Sequence, residues 1–316
     1  MPVFKIHHIT RYQYEKPVTE SVNEIRIFPY QCNTQEVLQH DLVITDQPEI
    51  LLFQDYWGNK AGLFSLIHSH KQLIIESKLI VRTTLPSQLQ VNFHSSFSDL
   101  QQESATNLLL LELMHPDRIE KQSFIDTICK EVNHSSKSVA SVVERSSEFI
   151  FNHFKYTKGI TNIETTVDEI LEHKGGVCQD FAHLLLQILR SLNIPCRYVS
   201  GYICPNKNGM RGEGATHAWV EAWIPQFGWA GIDPTNNVWV TNTHVKLAAG
   251  INFTDCSPVK GTFKGPSRQE LFVLVNVGYE DGQVFEEVTQ VLVEKQPAPE
   301  PDPLITESFL AQQQQQ

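Results

Sequence analysis

Three residues call for a common chemical explanation: Cys178, His217 and Asp233. Cys178 follows Gly175 and Gly176 and opens a stretch whose apolar residues recur at helical spacing. A helix start presents unpaired backbone N–H groups and the positive end of the helix dipole, which favour thiolate over thiol. The same donors can hold the negative oxygen of a tetrahedral intermediate. Taken alone, Cys178 reads equally as a small buried hydrophobe near a helix start. His217 begins an apolar strand in Ala-Thr-His-Ala-Trp-Val-Glu-Ala-Trp, where a structural histidine is the alternative. Asp233 ends the next strand in Gly-Ile-Asp-Pro-Thr, where the alternative is a turn-initiating Asp before Pro. Pro225-Gln-Phe-Gly228 joins the two strands as a hairpin, with His217 and Asp233 both at the end away from the turn. A carboxylate there can orient an imidazole. The simplest register pairs Ile224 with Trp229 and sets Asp233 opposite Val220, so reaching His217 requires a bulge or an irregular strand end.

Nearby polar residues have plainer readings. Asp180 lies two positions after Cys178 and, at about 100° per residue, points to nearly the opposite side of the helix, as a first-turn acid favourable to the dipole. His183 reads as helix surface or packing. Alternation puts Trp219 and Trp223 on the strand face shared with His217, as a wall of an acyl or amine channel or as ordinary core. Cys196, Cys204, His217 and Cys178 have spacings that match no compact zinc pattern, and a metal would occupy the proposed nucleophile. His68 and His70 share a strand face without a third ligand nearby and read as solvent-facing. No metal and no cofactor is expected.

The elements that must position these groups follow from the pattern. Residues 1–100 are expected to form an antiparallel, sandwich-like β-domain: short stretches such as Ile25–Phe28, Leu42–Ile44, Leu63–Ile67 and Leu73–Val81 are punctuated by Pro17, Pro29, Pro48 and Pro86. From about Glu103 the period becomes helical, with helices expected over Pro116–Val132 and Ser138–Phe154. Thr166 and Glu169 form a capping box whose short helix should stop at Gly175-Gly176 in the left-handed conformation. The helix opening at Cys178 carries Phe181, Leu184, Leu185, Ile188, Leu189 and Leu192, a wide buried face, and strands follow at 197–203, 216–224 and 229–233. Phe272–Val277 and Val284–Val293 read as a terminal hairpin closing a core that spans 101–295. The Pro/Gln-rich tail, 296–316, has the composition of disorder.

The chain has 316 residues, 25 Lys plus Arg against 36 Asp plus Glu and a net charge of −11, so a nucleic-acid partner is not expected. No apolar run is long enough to cross a bilayer, and no membrane association is expected. The N-terminal segment shows no signal-peptide pattern, and the six cysteines contain no Cys-x-x-Cys pair, so the expected setting is reducing and cytoplasmic.

Four ordered motifs, Gly175-Gly-Val-Cys-Gln-Asp-Phe-Ala-His183, Tyr198-Val-Ser-Gly-Tyr202, Thr216-His-Ala-Trp-Val-Glu221 and Gly228-Trp-Ala-Gly-Ile-Asp-Pro-Thr235, resemble the bacterial transglutaminase-like superfamily, whose members are often labelled cysteine proteases. Thr10-Arg-Tyr-Gln-Tyr14, Pro17-Val18, Arg26 and Asp55-Tyr-Trp-Gly-Asn59 resemble its N-terminal β-domain, and Ile251–Asp255, Pro258 and Gly261 its segment after the triad, with Asn252-Phe253 a slight departure. The resemblance spans about residues 1–295. It implies an α+β protein with a papain-like, transglutaminase-like core, in which Cys178 is the nucleophile, His217 the base and Asp233 the orienting acid. From the family pattern Tyr202 is expected as the second oxyanion donor, the alternative being a half-buried strand aromatic. Trp219 is expected beside the substrate. The expected activity is cleavage of amide bonds in a peptide or protein substrate through a Cys178 thioester, most readily by hydrolysis as a peptidase or glutaminyl amidase. The alternatives are a true transglutaminase with an amine acceptor and a non-catalytic scaffold or binding protein. The Gly/Asn-rich loop 204–215 is expected to border the cleft.

Overall fold

A computed structural model describes residues 1–133, 138–204, 210–211 and 216–280, together with the backbone of 290–295 and 306–308. The chain begins with six strands, β1 (Val3–Val18), β2 (Glu20–Ile25), β3 (Gln35–Ile44), β4 (Leu51–Gln54), β5 (Lys60–Leu66) and β6 (His70–Thr83). In β1 every second residue from Phe4 to Tyr14 is buried, the period-two signature of a sheet with one covered face.

Helices then take over: α1 (Phe97–Ser104), α2 (Leu108–Glu112), α3 (Gln122–Asn133) and α4 (Val139–His153). The helix expected from Pro116 starts at Gln122, because Asp168 and Gln187 instead bond the backbone N–H groups of Glu120, Lys121 and Asp117. The two-residue strand β7 (Lys155–Tyr156) is followed by α5 (Val167–His173), which opens on the expected capping box: Thr166 accepts from Glu169 N, and Glu169 accepts from Thr166 N. The left-handed residue ending α5 is Lys174 (φ 48°), not a glycine. Gly175 and Gly176 form β8, parallel to β7. They are small for steric reasons: a Cβ on Gly175 would lie 2.9 Å from Lys155 O, and one on Gly176 would lie 2.5 Å from Asp180 Oδ2.

Next come α6 (Cys178–Ser191), β9 (Cys196–Ile203), β10 (Thr216–Ile224), β11 (Gly228–Asp233), β12 (Val238–Trp239), β13 (His244–Gly250) and the short α7 (Phe253–Cys256). The second sheet has the order β12-β11-β10-β9-β13, and α6 packs on β9 and β10. Helices α3, α4 and α5 surround α6, so it is buried nearly all round rather than on one face. Two of its buried polar side chains reach partners along the chain: Gln187 bonds the backbone of Asp117, and Arg190 Nη2 the carbonyls of Cys196 and Ile251.

The last strands, β14 (Val259–Lys264), β15 (Gln269–Tyr279), β16 (Gln290–Lys295) and β17 (Thr306–Ser308), leave this core. β15 runs antiparallel to β1 from Phe4↔Tyr279 to Tyr14↔Gln269, and β14 pairs with β2. The N-terminal region is therefore two five-stranded sheets, β16-β15-β1-β6-β3 and β17-β14-β2-β5-β4, closed by β14, β15 and β16 from the span 101–295 expected to form the core and by β17 from the tail. The physical reason is that β1 and β2 would otherwise expose long unpaired edges. The expected β15–β16 hairpin pairing is present, while residues 284–289 lie outside the described residues. So does the tail read as disordered, apart from 306–308, whose backbone pairs with β14. Among the described residues no helix is long and apolar enough to cross a membrane.

Candidate active site

Cys178 is the first residue of α6, after the extended Val177. Val177 has no capping side chain, so the cap comes from inside the helix: Asp180 Oδ2 accepts from Val177 N at 2.7 Å and from Thr161 Oγ1 at 2.6 Å. This is the first-turn acid expected from sequence, with its carboxyl pushed up to about 6 by burial against these hydrogen bonds. Asp180→Ala leaves Val177 N unpaired and loosens the turn that carries Cys178. It should lower stability by about 1–2 kcal/mol and slow alkylation of Cys178. Thermal unfolding together with an iodoacetamide time course checks this; an unchanged melting point and rate would refute it.

The hairpin register differs from the simplest one by one residue. Trp223 pairs with Trp229 and Val220 with Ile232, because three residues, Pro225–Phe227, form the loop, with Gln226 and Gly228 both at positive φ. The shift moves Asp233 level with Trp219, on the face that carries His217, one diagonal step away. No bulge is needed. His217 Nε2 lies 2.9 Å from Asp233 Oδ2, with both side chains fully buried.

Burial alone would lower the His217 pKa; the charges of Asp233 and Cys178, with a hydrogen bond from each, outweigh it and raise the imidazole to about 10. Burial alone would raise the Asp233 carboxyl, but the His217 charge and hydrogen bond hold it well below the usual carboxylate range. With Nε2 committed to Asp233, Nδ1 is the ring nitrogen left for the thiol. Cys178 and His217 line a common cavity of about 30 Å³ with Tyr198, Ser200, Thr216 and Phe253. Cys178 is only 4% exposed, so in this state the site is almost closed.

Both readings of Asp233 hold at once. Its Oδ1 accepts from Thr235 N at 2.9 Å, the turn role, while Oδ2 takes His217. Oδ2 also accepts from Asn236 Nδ2 at 2.7 Å, and Asn236 Oδ1 accepts from Arg211 N. Asn236 and His244 were missed from sequence: one looks like a turn residue, the other like a lone histidine opening an apolar strand. His244 Nε2 lies 3.6 Å from Asp233 Oδ2.

Tyr202 and Trp219 do not line the cavity that Cys178 and His217 share. Tyr202 is fully buried in the core of the N-terminal domain, among Phe4, Val245 and Leu247, and its hydroxyl lies 2.8 Å from His8 Nδ1. It stands opposite the cavity residue Thr216, one position after Gly201, but its side chain enters the core of the N-terminal domain instead of the cavity. Trp219 does share the His217 face, but it is sealed between Val199, Val240 and Ala249, with its ring 5.2 Å from that of His244. Trp223 and Trp239 bond Glu103 and Glu144 instead. His183 is packing, 5.1 Å from the Tyr198 ring and accepting from Phe253 N. Cys196 and Cys204 belong to different cores, so the zinc set weighed from sequence does not assemble. His217, Asp233 and His244 offer atoms within 4.8 Å of one another, a spacing a metal ion could bridge, although two of those atoms already share a hydrogen bond. Of His68 and His70, the first is exposed and bonds Asp46, while the second is buried against Ser21. The loop 204–215 lies mostly outside the described residues.

The chain matches the transglutaminase-like superfamily over residues 126–234 and the bacterial transglutaminase-like N-terminal region over residues 4–82. An uncharacterized protein of Mycobacterium leprae is 31% identical over 280 residues, covering 86% of this chain and 97% of that protein. A protein-glutamine gamma-glutamyltransferase of Pseudomonas aeruginosa is 25% identical over 207 residues, 63% of this chain but 28% of that protein. A crystal structure titled "a Putative Cysteine Protease from Cytophaga hutchinsonii" superposes with a TM-score of 0.70 at 21% identity, over 93% of this chain and 98% of the other. That likeness is one of fold: antiparallel sheets at the N-terminus, then a papain-like, transglutaminase-like core.

Proposed function

Because the chain belongs to the transglutaminase-like superfamily, we propose that it is a cysteine-dependent acyl-transfer enzyme that cleaves amide bonds in a peptide or protein substrate, chiefly by hydrolysis. The observation that carries this reading is His217 held by Asp233 beside the Cys178 thiol. Cys178 Sγ, its proton held by His217, attacks the carbonyl carbon, and the negative oxygen is received by the Cys178 backbone N–H at the start of α6. The C–N bond breaks as His217 gives its proton to the departing amine, leaving a thioester on Cys178. Water then attacks the thioester, His217 takes its proton, and release of the carboxylic acid restores the thiol. Asp233 keeps Nε2–H of the ring in place and its cation stabilised throughout. A cavity of about 30 Å³ holds one water and no substrate carbonyl, so turnover requires its walls to part. A reducing, cytoplasmic setting belongs to the same proposal.

The second reading, transfer of the acyl group to an amine, is favoured by the glutamyltransferase relative. The triad chemistry is identical up to the thioester. Incubation with a glutamine peptide and a labelled primary amine separates the two. Ammonia without incorporated label supports hydrolysis, and label in the peptide moves the assignment to transamidation. Neither product, from peptides of varied sequence and with no difference from Cys178→Ala, would leave a scaffold role.

A further inference from the structure

The mechanism above leaves unused a buried titratable group that faces Asp233. His244 opens β13 opposite Ile203 of β9, and its side chain is 1% exposed. Its Nδ1 lies 3.2 Å from Thr243 Oγ1. Its Nε2 is fully buried, has no hydrogen-bond partner, and lies 3.6 Å from Asp233 Oδ2. The ring is held edge-on against Trp219, 5.2 Å between centroids, and stands 6.2 Å from the His217 ring. An unpartnered buried imidazole nitrogen is costly unless it has a use. Here the nearest acceptor is the oxygen that already serves His217 at 2.9 Å and Asn236 at 2.7 Å.

We infer that His244 is a positioning residue for the proposed reaction, a reserve donor that holds the Asp233 carboxylate in place when His217 gives up its proton. The inference rests on the triad reading. During acyl transfer His217 alternates between imidazolium and imidazole. While it is charged, Asp233 has a full counter-charge. Once the proton has passed to the leaving amine, Asp233 remains a buried anion facing a neutral ring. A movement of under 1 Å then turns the 3.6 Å approach of His244 into a hydrogen bond. The tautomer suits this role: a Thr243 hydroxyl donating to Nδ1 places the His244 proton on Nε2, facing Asp233. The titratable groups facing His244 are Asp233 from β11 and His217 from β10. Burial and the His217 charge lower the His244 pKa, against the opposing pull of Asp233, so the second ring stays neutral while the first is charged. Trp219, expected beside the substrate, acquires a different part: it is the wall that fixes the plane of this ring.

The test is a histidine titration by 15N NMR on the full chain, which reads both rings whether or not any substrate is turned over. His244 is expected as the Nε2–H tautomer from pH 6 to 9. His244→Phe keeps a ring against Trp219 but donates nothing; Oδ2 then accepts more strongly from His217, and the His217 midpoint should rise by about one pH unit, a tenfold change in its ionisation constant. His244→Gln restores a donor and should return the midpoint to within a few tenths of a unit of the native value. An Nδ1–H tautomer at His244 in the native chain overturns the inference, which also guards against a Phe variant that fails to fold. So does a His217 midpoint equal in native and Phe chains, or a Gln variant that behaves like Phe. Failure of the triad reading appears separately, as a His217 that titrates as an ordinary imidazole in the native chain.

Discussion

Iodoacetamide should alkylate Cys178 about a hundredfold or more faster than Cys196 at pH 7, and His217→Ala should remove most of the difference. The expectation follows from two opposite environments. Burial pushes the Cys196 thiol up to about 11 and the Cys129 thiol likewise to about 11, so each is thiolate only in a very small fraction at neutral pH. Cys178 shares its cavity with an imidazole that Asp233 keeps protonated to about pH 10, which supplies a counter-charge to the sulfur as it attacks. Without the ring, the thiol loses both its counter-charge and its proton acceptor. Amide cleavage in His217→Ala should then fall by about 10³-fold or more, because members of a triad act as a unit. Peptide mass spectrometry over a labelling time course gives both cysteines in one experiment. Equal rates for Cys178 and Cys196 would mean that no ion pair exists and that the near closure of the site is permanent.

The parts of this arrangement that were legible in the sequence are those whose cause is local. The apolar spacing from Phe181 to Leu192 marks α6, and Thr166 with Glu169 marks the start of α5, because a helix face and a capping box are read within a few residues. The order Cys178, His217, Asp233 was legible for the same reason, each lying at a recognisable element end. What was not legible depends on partners far along the chain. Nothing in 259–279 announces that it pairs with residues 4–25, since an alternating strand carries no label for its neighbour. The burial of Tyr202 follows from that return: only once β14 and β15 close the N-terminal sheets is there a core at the far end of β9 for it to enter. The hairpin slipped by one residue because loop length sets register, and a three-residue loop is indistinguishable from a four-residue one in Pro-Gln-Phe-Gly. His244 is 11 residues beyond Asp233 and lies three strands away in the sheet order β12-β11-β10-β9-β13, so their approach to 3.6 Å depends on side chains reaching toward each other from non-adjacent strands.

The sheet behind the triad carries the second large expected effect, on stability. Glu221 follows His217 by four residues on the same face of β10 and sits in a buried cluster with two cations. Arg197, directly opposite it in β9, donates from Nη2 at 2.7 Å and from Nε at 2.8 Å to Oε2, while Lys246 of β13 donates to Oε1. The cations in turn rest on aromatic faces: Arg197 is 4.3 Å from the Trp229 ring, and Lys246 is 4.8 Å from the Tyr30 ring of the N-terminal domain. Burial would raise the Glu221 pKa, but Lys246 and Arg197 lower it to about 2. Glu221→Ala leaves two buried positive charges without an anion, which should cost about 3–5 kcal/mol in urea unfolding. A carboxyl lowered in the folded state stabilises above its unfolded pKa of about 4.3 and loses that contribution as the pH falls through about 2. Over that window the native chain should weaken while Glu221→Ala changes far less. Replacing all three charges together, by Glu221→Leu, Arg197→Met and Lys246→Met, should recover most of the loss, because the penalty lies in the unpaired cations rather than in the missing pair. If the single variant loses under about 1 kcal/mol, water reaches the cluster, and the sheet that holds His217 is not the dry, rigid support that an ionised Cys178–His217 pair requires.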